Sequence, residues 1–121
     1  MIFFKFKNLK TKLRASFLLS IFLISACAKK ESERPLTELE SRGKASYMSN
    51  CIACHNSDPR LAGSVGPDVA YSSLELISSR VLNKSYPKGY VPKRQSGLMP
   101  ALPFLEKDIP ALHAYLNSFK K

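Results

Sequence analysis

Cys51-Ile52-Ala53-Cys54-His55 decides how the rest of this chain is read. Two thiols three positions apart can each add to one vinyl group of a haem, giving two thioether bonds, and the next residue places an imidazole beneath the iron. The pattern uses two of the three cysteines and one of the two histidines. Two other chemistries also use paired cysteines. A redox Cys-x-x-Cys opens a helix that follows a strand in a βαβ unit. Here a helical pattern runs into the motif and no strand alternation precedes it. A zinc site needs a fourth ligand and usually a second cluster, and only His113 and Cys27 remain. The spacing therefore predicts one covalent haem c, bound through Cys51 and Cys54 with His55 as proximal iron ligand.

Cys27 has a different explanation. Lys5, Lys7, Lys10, Lys12 and Arg14 come with no acidic residue and are followed by the apolar run 17–24. That is the charged region and short apolar core of a secretory signal, too short for a comfortable membrane span. The run closes on Ile24-Ser25-Ala26-Cys27, which looks like a bacterial lipoprotein signal with Cys27 as the acylated residue. The alternative is an ordinary signal peptide with a chance cysteine, which leaves the odd third thiol unexplained. Cleavage before Cys27 leaves 95 of the 121 residues and lowers the net charge from +10 to +5, because the signal 1–26 carries five basic residues and no acidic one. The lowered charge and the export signal both argue against a nucleic-acid partner. Residues 27–36 read as the acylated cysteine and a charged, proline-ended tether, whose nine residues after Cys27 span about 30 Å when extended. Ala28, in place of Asp, resembles the outer-membrane sorting pattern of Gram-negative lipoproteins.

Residues 37–121 form the remaining domain, close to the size at which a side-chain core alone becomes marginal. A haem fixed inside it supplies a large apolar plate. Three helices are expected, with no strand and no internal repeat. The first opens on the capping box Thr37-Glu38-Leu39-Glu40 and carries Leu39, Gly43 and Tyr47 on one face. The second begins at Ser72, with Glu75 at the box position and Leu74, Ile77 and Val81 as its apolar stripe. The third runs from near Lys107 to Phe119 with Leu112, Tyr115, Leu116 and Phe119 facing inward, and Pro110 in its first turn, where a missing N–H costs nothing. Residues 56–70 and 85–105 read as loops. The fold class is all-α.

In their order, Gly43 and Tyr47, Cys51-Ile52-Ala53-Cys54-His55, Gly66-Pro67, Gly97-Leu98-Met99-Pro100 and Leu112-His113-Ala114-Tyr115-Leu116 resemble the class I cytochromes c over 37–119. The resemblance implies that the first and last helices cross with Gly43 against Tyr115. It implies that the Pro67 carbonyl fixes the His55 ring, and that Met99 is the sixth ligand. Chemistry points to the same methionine. Met1 leaves with the signal, Met48 lies one turn before Cys51, and Met99 lies in a Gly/Pro-rich loop that can close over the haem. A thioether opposite an imidazole favours Fe(II) and raises the potential. The alternative for Met99 is core packing. His113 falls off the apolar stripe and reads as solvent-facing. The tyrosines and cations of 84–94 suit the haem propionates or a basic rim that steers acidic partners, and the alternative is a solvated loop.

The resulting expectation is a monomeric one-electron carrier with no catalytic residues. It is exported and held by Cys27 on the periplasmic side of a bacterial membrane, the outer membrane favoured. It passes electrons from a redox-protein donor to an acceptor. The alternative is a haem subunit of an exported sulfur- or nitrogen-compound oxidoreductase. A third class is a haem sensor or peroxidase, which requires an open sixth site.

Overall fold

The computed structural model describes residues 34–119; the signal 1–26, Cys27 and tether positions 28–33 lie outside them. Helix α1 (Glu38–Asn50) starts where the local chemistry demands. The Thr37 hydroxyl accepts from the Glu40 N–H at 3.3 Å, and the Glu40 carboxylate accepts from the Thr37 N–H at 2.8 Å. This reciprocal cap draws Glu40 inward. The buried face of α1 is therefore Glu40, Gly43, Ser46 and Tyr47. Leu39, expected on that face, is 47% exposed.

Helix α2 (Leu74–Asn83) is capped by Ser73, whose hydroxyl accepts from the Leu76 N–H. The expected cap, Ser72, instead donates its hydroxyl to the Val69 carbonyl at 2.7 Å. Glu75 is consequently one position early for a box. Ile77 and Val81 are buried as expected, but Leu74 in the first turn faces solvent. The helix ends on Lys84 in the left-handed region at φ 54°, where Arg80 donates to the Lys84 carbonyl at 2.8 Å.

Part of the expected loop 85–105 is ordered differently. Residues Pro103–Asp108 form a 3-10 helix that leads into α3 (Ile109–Leu116), with Pro110 in the first turn of α3. The last helix ends three residues before Phe119. Asn117 stops it by donating its side-chain amide to the carbonyls of His113 and Ser72, both at 3.0 Å. Phe119 still packs, edge-on to Tyr115 with ring centroids 5.4 Å apart.

The central packing is α1 against α3. A Cβ on Gly43 would stand 1.9 Å from the Ala111 carbonyl oxygen and 2.8 Å from the Tyr115 Cβ, so only glycine lets the two backbones meet here. Tyr47 and Tyr115 lie beside this point, their centroids 5.7 Å apart. Arg42 fastens α1 to the end of the 3-10 helix from outside, donating to Asp108 at 2.9 Å and to the Lys107 carbonyl at 2.8 Å. Tyr47, Ile77, Val81, Leu105, Ile109, Leu112, Tyr115 and Leu116 form one core cluster. Among the described residues there is no strand, and no helix is long and apolar enough to cross a membrane.

Candidate functional site

The last turn of α1 delivers the Cys-x-x-Cys-His stretch to a cavity. Cys51 caps the helix with its N–H on the Tyr47 carbonyl at 2.9 Å, and the chain then winds through a tight turn in which the N–H groups of Cys54 and His55 both reach the Cys51 carbonyl. This winding brings both thiols and the imidazole to the wall of a single cavity of about 280 Å³. Val65, Val69, Ile77, Val81, Leu112 and Leu116 give that wall its apolar surface, and Met99 also lines it.

The imidazole is held by the loop that follows. His55 Nδ1 lies 2.8 Å from the Pro67 carbonyl oxygen. A carbonyl only accepts, so Nδ1 carries the proton, and in the neutral ring this leaves the Nε2 lone pair free, the tautomer a metal-binding histidine requires. The loop is itself stapled to the motif. The N–H groups of Gly66 and Val65 donate to the Cys54 carbonyl at 2.9 and 3.3 Å. Two glycines make this approach possible. A Cβ on Gly66 would stand 2.4 Å from His55 Cε1, and one on Gly63 would stand 2.3 Å from the Cys54 oxygen.

Burial, and then the neighbouring Cys54, push the Cys51 thiol up to about 11. A redox Cys-x-x-Cys works with an acidic thiol, the reverse of this. Behind it, burial holds the Tyr47 hydroxyl well above the ordinary phenol range, with Cys51, Tyr115 and Asp58 adding in the same direction. That hydroxyl donates to the Asn56 carbonyl at 2.7 Å, just past the motif. Among the described residues no three His, Cys, Asp or Glu side chains converge as a zinc site would need.

Of the residues singled out from the sequence, Cys51, Cys54, His55, Pro67 and Met99 all line the one cavity. His113 and Met48 do not; His113 is half-buried on α3 and Met48 is exposed on α1. Cys27 is outside the described residues. Within 84–94, Tyr86, Tyr90, Lys93 and Arg94 reach the cavity wall, as does Arg80 from α2. The Arg80 guanidinium sits 4.3 Å from the centroid of the Tyr86 ring, which stacks on Tyr90 at 5.4 Å. The sequence did not single out Gly63 or Arg80. Gly63 meets the Cys54 carbonyl only in the folded loop, and Arg80 meets the Lys84 carbonyl and the Tyr86 ring just past the end of its own helix.

A wide apolar cavity walled by two thiols, an oriented imidazole and a thioether fits a haem and its iron. Comparison with protein families agrees: the family model described as Cytochrome c matches residues 40–120. No match is found among the curated proteins or among the solved structures.

Proposed function

Because this chain belongs to the cytochrome c family, whose members bind covalent haem c and transfer electrons, we propose that it is a monohaem class I carrier cycling between redox proteins outside the cytoplasm. Cys51 and Cys54 hold the haem as thioethers. His55 offers Nε2 to the iron while its Nδ1–H stays on the Pro67 carbonyl, which fixes the ring and makes it a better donor. Met99 offers its thioether as the sixth ligand. Haem c, when bound, supplies the one-electron Fe(III)/Fe(II) couple. With His55 and Met99 both held to the iron through the cycle, no position would be left on it for a substrate.

The observation that carries this reading is the convergence of His55 and Met99 on the wall that also holds both cysteines. Arg80, Tyr86 and Tyr90 on the same wall suit the haem carboxylates as hydrogen-bond and ion-pair donors. Lys84 and Lys88 are exposed beyond them and suit an acidic face on a partner. Acylation at Cys27 would tether the carrier to a membrane on the periplasmic side, with the charged residues 28–36 as its leash.

The test is spectroscopic. The holoprotein should show a weak far-red band in the oxidised state, and its reduced form should not bind carbon monoxide at neutral pH. Met99→Ala should abolish the band and admit carbon monoxide. Ready carbon monoxide binding by the unmodified protein would replace this reading with that of an open-site sensor or enzyme.

A further inference from the structure

Residues 84–102 form a strap that leaves the end of α2, crosses the cavity and returns to the 3-10 helix with Met99 near its far end. The strap is attached at three places. Its start rests on the stack of Arg80, Tyr86 and Tyr90. Its end is pinned where the Leu102 N–H meets the Val81 carbonyl at 2.6 Å. Between these, two consecutive cations reach across to the loop on the His55 side. Lys93 donates to the Asp68 carbonyl at 3.2 Å and pairs with the Asp68 carboxylate. Arg94 donates to the carbonyls of Gly63 and Val65 at 3.2 and 3.1 Å. From Gln95 to Ala101, among the described residues, the only hydrogen bond is the local one from the Leu98 N–H to the Ser96 hydroxyl.

The loop gripped by these cations is the one that orients the imidazole. Residues 63–68 accept the His55 Nδ1–H on the Pro67 carbonyl and give two N–H groups to the Cys54 carbonyl. We propose that Lys93 and Arg94 are positioning residues, a clasp that fastens the Met99-bearing strap to the His55-bearing loop and so sets the reach of the methionine. The inference rests on Met99 being the sixth ligand. Releasing the clasp leaves the His55 side intact, because the Pro67 and Cys54 bonds do not pass through it. It lengthens the free run of chain before Met99, and a longer tether lowers the effective concentration of the thioether at the iron.

The experiment measures competition for the sixth position. Neutral imidazole is titrated into the oxidised holoprotein at mildly alkaline pH, a probe whose lack of charge makes it insensitive to the removal of two cations. Lys93→Ala/Arg94→Ala should bind imidazole roughly tenfold more tightly than the unmodified protein, the effect of losing a few charge-assisted hydrogen bonds. Asp68→Ala should move the same way by less. Arg42→Ala breaks an exposed ion pair between α1 and Asp108 at the end of the 3-10 helix, away from the strap, and should leave imidazole affinity unchanged. A clasp variant with unaltered imidazole affinity, or a gain matched by Arg42→Ala, would overturn the clasp while Met99 ligation stands. An unmodified protein that has no far-red band and binds imidazole as Met99→Ala does would overturn both.

Discussion

Gly66 shows how much of the site depends on an atom that is missing. A Cβ there would lie 2.4 Å from Cε1 and 2.5 Å from Nδ1 of His55, well inside contact distance for both. Gly66→Ala must therefore push the imidazole away from the Pro67 carbonyl, which is where its orientation is set. The expected result is a lower yield of holoprotein and a high-spin contribution in the oxidised absorption spectrum, as the proximal bond weakens. Pro67→Ala next door should behave differently. The acceptor is a main-chain oxygen and survives the change, so the cost is the lost restriction of the unfolded chain, about 1 kcal/mol or less. Equal spectra and equal stabilities for the two variants would show that the loop yields to the extra methyl. From the sequence the Gly-Pro pair was legible for its proline. The role of Gly66 lies in a contact eleven positions back along the chain, and Gly63 likewise meets the Cys54 carbonyl only in the folded state. No local pattern encodes either contact.

Among the elements, the α1–α3 crossing governs stability. Gly43 lets α1 approach until a Cβ would collide with the Ala111 carbonyl at 1.9 Å, and that neighbour is backbone that cannot rotate away. Gly43→Ala should lower the unfolding free energy of the holoprotein by about 2 kcal/mol or more, despite alanine's better helix propensity, because overpacking outweighs the propensity gain of about 1 kcal/mol. Denaturant titration checks it, and an alanine variant as stable as the parent would mean that the helices slide apart without loss. The elements differ in how far the sequence revealed them, according to whether local or distant contacts set them. The α1 start was legible because Thr37 and Glu40 satisfy each other within four residues. At α2 two adjacent serines compete, and Ser73 becomes the cap because Ser72 is drawn to the Val69 carbonyl. The 3-10 helix Pro103–Asp108 buries only Leu105, which leaves no periodic stripe to read. The end of α3 depends on Asn117 reaching back to Ser72, a partner 45 positions away.

For the molecule as a whole, the haem site and the core are one structure. Ile77, Val81, Leu112 and Leu116 belong to the core cluster and also line the cavity, so their inward faces are completed by whatever occupies it. At about 24 cal/mol per Å³, a cavity of 280 Å³ corresponds to roughly 7 kcal/mol, an upper bound because water can enter at the mouth. A domain of this size has a total stability on the order of 4–13 kcal/mol. The bound is a large share of that range, so the fold without haem should be marginal. The chain carrying Cys51→Ala and Cys54→Ala, prepared free of haem, should lose most of its far-ultraviolet helical signal at 25 °C and melt without a cooperative transition. What persists should be α1 in part, since its capping box is local. α3 has only eight residues and takes its support from α1 and the core, so it should go first. A haem-free chain that melts cooperatively within a few degrees of the holoprotein would show that the side chains close the cavity by themselves. Attachment would then be needed for redox chemistry alone, and the stability of the fold would lie in the Gly43 crossing instead of the haem wall.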